Sequence, residues 1–235
     1  MSQDKEQRKN NPPQPDGLEK RTYTVEMRVA TEGEGDTRRT VTGYAPRFNS
    51  PSEVMYLNPD ERFVEYFEPY AFRSALPNSD PRALRDHISH FILGRQSANT
   101  LNVWEDATGL GFRFELPNTT YANDLAVSME RGDVRETSFA FTLKEKSDKW
   151  KKRDDGIWER RIPADAVERI YDISVVTYPA YPNSEANLDV AMRSLEAAQK
   201  EITPSPAEAR SAKEGETDNE NHRARLLEAI ERAAK

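Results

Sequence analysis

Glu136-Thr137-Ser138-Phe139-Ala140-Phe141-Thr142-Leu143 decides how the chain is read. As a strand, its period of 2 puts Phe139, Phe141 and Leu143 on one face and Ser138, Ala140 and Thr142 on the other. The first is a core face. The second is small and slightly polar, a floor that leaves room for a ligand. A second strand, Asp172-Ile173-Ser174-Val175-Val176-Thr177, repeats the scheme, with Asp172 and Ser174 on one face and Ile173 and Val175 on the other. A serine, an acid and small neighbours raise the question of a histidine that would complete a nucleophilic site.

The chain has 235 residues, enough for one ordinary domain with tails or two small ones. With 36% hydrophobic and 32% charged residues, it is too polar to be packed throughout. Disordered ends around one compact domain are therefore expected. A net charge of -7 argues against a general nucleic-acid binder. Cysteine is absent, which excludes disulfides, Cys-based zinc sites and cysteine nucleophiles and is compatible with a reducing cytoplasm. The start, Met1-Ser2-Gln3-Asp4-Lys5-Glu6, has no apolar run, so no signal peptide is expected. No stretch is apolar enough to predict a membrane span. Nothing in the residues calls for a cofactor or a metal.

Outward from the serine strand, residues 1–20 read as a disordered arm, charged and interrupted by Pro12, Pro13 and Pro15. The compact region is expected over 21–199. It opens with Tyr23, Val25, Met27 and Val29 alternating with polar residues, followed by a strand over 37–49. Residues 50–70 read as irregular and aromatic, and Pro69 opens a short helix to about Leu76. Strands are expected at 83–88, 91–94, 99–104 and 110–116. Thr119 or Thr120 caps a helix over 121–131, with Tyr121, Leu125 and Met129 on one face and Gly132 at its end. Lys144 to Arg161 reads as a long, solvated, charged hairpin turning at Asp155-Gly156. Strands near 157–162 and 166–177 follow. Ser184 caps a helix striped by Leu188, Ala191, Met192 and Leu195. Residues 200–235 form a polar linker and a short amphipathic helix carrying Leu226, Leu227 and Ile230.

Of three histidines, His222 lies in the polar tail, leaving His87 and His90 in Leu84-Arg85-Asp86-His87-Ile88-Ser89-His90-Phe91-Ile92-Leu93-Gly94-Arg95. A histidine in an apolar segment is either a hydrogen-bonded structural residue or a general base. Residue order bears on the choice. Gly43-Tyr44-Ala45, then Glu65 through Pro69-Tyr70-Ala71-Phe72, then His87 with Leu93-Gly94-Arg95, precede Gly109-Leu110 and Leu116-Pro117-Asn118-Thr119. Gly132 with Ser138-Phe139-Ala140-Phe141, and finally Ser174-Val175-Val176-Thr177-Tyr178-Pro179-Ala180-Tyr181, close the series. In this order, over roughly residues 23 to 183, the chain resembles the prohead proteases of tailed bacteriophages.

The resemblance implies an α+β fold, a mostly antiparallel β-barrel ringed by short helices and similar to the herpesvirus assembly protease. It implies a serine endopeptidase whose nucleophile is Ser138, whose base is His87 and whose third member is Asp172. Ile88 stands where an aspartate is common in the family, and Asp172 where glutamate is frequent. His90 is the alternative third member, since the herpesvirus relatives use a second histidine. Asp172 has a plainer reading as a partner of Arg169 or Arg161. Arg95 is either an oxyanion donor or half of a structural ion pair, and Gly94 reads as a turn glycine. The implied substrates and partners are the scaffold or the scaffolding segment of the major capsid protein, and the chain itself. A homo-oligomer is compatible, and neither nucleic acid nor membrane is implied. The implied place of action is the host cytoplasm, inside the assembling procapsid. The rival readings are an inactive scaffold or capsid-binding protein of the same fold and an unrelated β-barrel binding module.

Overall fold

Short apolar-rich segments become paired strands throughout the described residues. The computed structural model describes residues 15–24, 28–31, 39–178 and 185–202. In chain order the strands are β1 (Glu19–Thr24), β2 (Arg28–Thr31), β3 (Arg39–Arg47), β4 (Met55–Tyr56), β5 (Arg62–Phe67), β6 (Arg82–Arg85) and β7 (Ile88–Arg95). Then come β8 (Leu101–Glu105), β9 (Gly109–Glu115), β10 (Glu136–Leu143), β11 (Lys149–Lys152), β12 (Trp158–Ile162) and β13 (Val167–Val176). Helix α1 spans Thr120–Glu130 and α2 spans Glu185–Ile202. The chain divides into two units, 1–194 and 195–235, and every site residue considered below lies in the first.

The strands form three sheets, ordered β1-β10-β13-β6-β7, β11-β12-β5-β4 and β2-β3-β9-β8. Pairing is antiparallel except between β12 and β5 and between β13 and β6. The fold is therefore α+β and mostly antiparallel, but the expected closed barrel is not formed among the described residues. Closure needs an unbroken ladder around the whole ring. Here each sheet ends in two edge strands, and the β3 ladder shifts register between Tyr44 and Arg47, where Pro46 has no N–H to contribute.

The core is aromatic. Phe139 and Phe141 stack at 4.9 Å, and Phe67 meets each of them edge-on at 5.5 Å. Phe72 stacks on Phe67 at 5.2 Å. The small face of β10 is covered as well: Ser138 and Ala140 are fully buried and Thr142 nearly so. Both faces of this strand are interior, so the serine face is not the open floor its composition suggests.

Several expectations shift. The segment taken as irregular contains β5, whose residues 63–65 are all buried; burial on both faces erases the period of 2. The helix expected from Pro69 to Leu76 is a succession of turns ending in a 3-10 turn at Leu76–Asn78, and Tyr70 takes a positive φ of 71° that no helix accommodates. Helix α1 buries Ala122, Leu125, Ala126 and Met129 as its amphipathic pattern requires, but the Thr119 hydroxyl makes no cap hydrogen bond. Gly94 lies inside β7 rather than in a turn; a Cβ there would sit 2.8 Å from the Thr100 carbonyl oxygen. Residues 1–14, 25–27 and 203–235, including most of the expected arm, linker and tail helix, lie outside the described residues. Residues 200–202, expected in the linker, belong to α2.

The largest difference concerns charge. The arm was expected to reach residue 20, yet β1 begins at Glu19, which is fully buried. Arg160, expected on a solvated hairpin, is 1% exposed. Its guanidinium donates to Glu19 at 2.5 and 2.9 Å, to Glu65 at 2.9 Å and to Asp148 at 2.7 Å. Arg21 donates to Glu65 at 2.8 and 3.0 Å and also to Glu19. Burial pushes the Glu19 carboxyl up, but attraction to Arg160 and Arg21 outweighs it and holds the group below its ordinary value. Asp148 is likewise lowered: burial opposes ionisation, and Arg160 together with the Ser194 hydroxyl, 2.6 Å away, overcomes it. Buried charges persist only when paired in this way. The network fastens β1 to the β5–β12 sheet, and β1 in turn pairs with β10, with Thr22 opposite Ser138.

Candidate active site

Three neighbouring elements of the first sheet assemble the site. β10 and β13 pair with Ser138 opposite Ser174 and Ala140 opposite Asp172. Ser138 and Asp172 are thus diagonal neighbours on adjacent strands, close enough for one side chain to reach both. β6 runs parallel to β13, with Leu84 beside Ser174 and Arg85 beside Val175. His87 was expected inside a strand over 83–88. It sits instead in the two-residue turn Asp86-His87 that joins β6 to β7, with Arg85 paired to Ile88.

Both turn residues have positive φ, 52° for Asp86 and 57° for His87. That is the sign a type I′ hairpin requires; asparagine, aspartate or glycine normally supplies it at the first position and glycine at the second. Placing His87 at the second position costs about 1–3 kcal/mol, a strain that concentrates at functional sites. The turn returns the imidazole to the serine face of the sheet.

His87 bridges the other two residues. Its Nε2 lies 2.7 Å from Ser138 Oγ, and its Nδ1 lies 2.7 Å from Asp172 Oδ1. With the proton on Nδ1, the imidazole donates to the carboxylate, and Nε2 is free to accept the serine hydroxyl. Ser174 Oγ donates to the same Asp172 oxygen at 2.6 Å and lies 3.2 Å from His87 Nδ1. Ser138 and Ser174 are fully buried, while the side chains of His87 and Asp172 keep 11% and 12% exposure. The arrangement is that of a nucleophile whose proton has a base within reach and whose base has an anionic partner.

The three residues singled out in the sequence are thus brought together. Asp172 pairs with His87 and Ser174 rather than with Arg169 or Arg161. The shorter acid still reaches the imidazole, because the turn carries His87 to it. His90 is exposed on β7, and among the described residues no hydrogen bond joins it to Ser138 or His87. Arg95 pairs with Asp80 at 2.5 and 2.7 Å, and its hydrogen bond together with the Ser97 N–H lowers the Asp80 carboxyl. That makes Arg95 a structural ion pair. Among the described residues, no group of three or more His, Asp or Glu side chains is placed to hold a metal ion. An open cleft of about 1140 Å³, lined by residues such as Leu93, Arg113 and Tyr121, includes none of the three bridged residues.

Ser174 was legible as sharing a face with Asp172, but nothing local showed its bond to the carboxylate. No helix among the described residues is long and apolar enough to cross a membrane.

Comparison with known proteins bears on the family of the chain. Among solved structures, the chain is similar to the bacteriophage T4 capsid assembly protease, gp21, at 9% identity and a TM-score of 0.39, covering 69% of this chain and 98% of that one. No curated protein matches the sequence. The model of the caudovirus prohead serine protease family matches residues 24–201, so the chain belongs to that family.

Proposed function

We propose that the chain is the serine endopeptidase of procapsid maturation, with Ser138 as nucleophile, His87 as general base and Asp172 as the group that orients and charge-balances the imidazole. One observation carries this: a single imidazole stands 2.7 Å from a serine oxygen on one side and 2.7 Å from a carboxylate oxygen on the other. As Ser138 Oγ attacks a peptide carbonyl, its proton passes to His87 Nε2, and the imidazolium is stabilised by Asp172. His87 then returns the proton to the leaving amine, and the acyl-serine is released by a water molecule that His87 deprotonates in the same way.

Family membership supports scaffold, or the scaffolding segment of the major capsid protein, as the substrate, with the chain's own ends as a further one. It also supports action inside the procapsid in the host cytoplasm, and a fold related to that of the herpesvirus assembly protease. The test is co-expression with the neighbouring capsid protein, comparing wild type and Ser138→Ala by intact mass. Capsid protein shortened only by wild type is the expected result. Equal shortening by both removes Ser138 as nucleophile; an intact partner with both favours the inactive capsid-binding reading.

A further inference from the structure

We propose that Asp86 is a positioning residue for His87: its carboxylate fastens the β6–β7 turn to the end of β13 and so sets where the imidazole meets Ser138. This builds on the roles given to Ser138 and His87 above. Asp86 Oδ1 accepts the backbone N–H of Thr177 at 2.8 Å, and Oδ2 accepts the Thr177 hydroxyl at 3.3 Å. Its own N–H donates to the Val175 carbonyl at 2.9 Å. Thr177 directly follows β13, the strand that carries Asp172 and Ser174. One strand therefore holds the histidine twice, by its ring through Asp172 and by its backbone through Asp86.

The other arm of the hairpin does not supply this restraint. Between β6 and β7 the register jumps from Arg85–Ile88 to Leu84–Ile92. Ser89, His90 and Phe91 fall in the resulting bulge, and Ser89 and His90 are exposed. A turn with two positive-φ residues other than glycine persists only where its surroundings over-determine it. With the β7 side bulged, the backbone of the turn is fastened on the β13 side, where Asp86 bonds to Val175 and Thr177. A misplacement of about 1 Å in a catalytic group is enough to slow a reaction about 100-fold.

The experiment uses the full chain and a fluorophosphonate probe that phosphonylates an activated serine, followed by intact mass. The histidine ring is read separately through its ¹⁵N–¹H resonances, and folding through thermal unfolding. Asp86→Gly frees the backbone to keep positive φ while removing the carboxylate. It is expected to slow labelling at least about tenfold, to shift the His87 Nδ1–H resonance and to leave unfolding within a few degrees of wild type. Asp86→Asn keeps the acceptor for the Thr177 N–H and is expected to restore labelling to within about threefold of wild type.

Labelling of Asp86→Gly within twofold of wild type, or an unmoved His87 resonance, overturns the proposal. If Asp86→Gly does not fold, Thr177→Val removes the hydroxyl contact alone. It should slow labelling two- to threefold and shift the His87 resonance slightly; no change in either overturns the proposal. A wild-type chain that resists the probe refutes Ser138 as an activated nucleophile. The His87 resonance then decides on Asp86 independently: a shift in Asp86→Gly but not in Asp86→Asn supports positioning, and no difference refutes it.

Discussion

Replacing Arg160 with methionine removes the cation that touches all three carboxylates of the buried network. Glu19 and Glu65 are fully buried, and Arg160 contacts both as well as Asp148. After the substitution Arg21 alone faces Glu19 and Glu65, and Asp148 loses its guanidinium. Removing one partner of a buried ion pair costs about 3–5 kcal/mol, because the remaining charge stays desolvated. For a domain of this size that corresponds to a fall of roughly 6–20 °C in melting temperature. It is also a large fraction of a typical stability of about 5–15 kcal/mol.

The pH dependence follows from the carboxylates. Glu19 and Asp148 are held below their ordinary values of 4.5 and 3.8. Their contribution is fully present above those values and disappears as pH falls through the lowered ones. In Arg160→Met burial acts on these acids without its main counterweight, so they protonate at higher pH. The loss relative to wild type should be greatest near neutrality and shrink toward about pH 3. Urea unfolding of both proteins across that range measures it. A loss below about 1 kcal/mol at neutral pH, or one that does not shrink on acidification, refutes the reasoning.

Ser138→Ala should abolish cleavage and fluorophosphonate labelling while changing stability by no more than about 1 kcal/mol, read by thermal unfolding. Asp172→Asn should lower the turnover number about 100- to 10,000-fold, because the amide favours the imidazole tautomer that no longer accepts the serine proton. His90→Ala should stay within a few-fold of wild type; a dead His90→Ala beside an active Asp172→Asn would reverse the assignment of the third member. Ser174→Ala removes a hydrogen bond to the Asp172 carboxylate, a contact of about 1.5–3 kcal/mol, and should slow labelling about tenfold while sparing the fold. Unchanged labelling would make Ser174 a packing residue.

Local pattern was readable wherever a strand has two unlike surroundings or a helix has one apolar stripe. β3 alternates, with Val41, Gly43 and Ala45 buried between half-buried Thr42 and Tyr44, and α1 repeats its buried residues at helical spacing. β5 hid because both its faces are interior, and its Glu65 reads as a surface residue until its two arginines are known. The bulge after Ile88 and the turn at Asp86-His87 hid for a different reason. A positive-φ pair without glycine departs from the usual turn chemistry, so residues 83–88 read as one strand, with a second over 91–94.

The residues proposed to carry the chemistry were named from residue order: His87 out of three histidines, Ser138 on a small-residue face, and Asp172 on a matching strand. Period and residue type depend on neighbours within a few positions, and a sequence states those directly. The distances between those residues depend on contacts that no local pattern encodes. His87 lies 51 positions from Ser138 and 85 from Asp172, and Arg160 lies 141 from Glu19. Strand order and register bring these pairs together, and burial then favours their bonding, because in the low-dielectric interior an unpaired charge is too costly to keep. Register separates His87 from His90, and the cost of a buried charge turns Glu19 and Arg160, two surface-type residues by sequence, into the interior link between β1 and the sheet beside it.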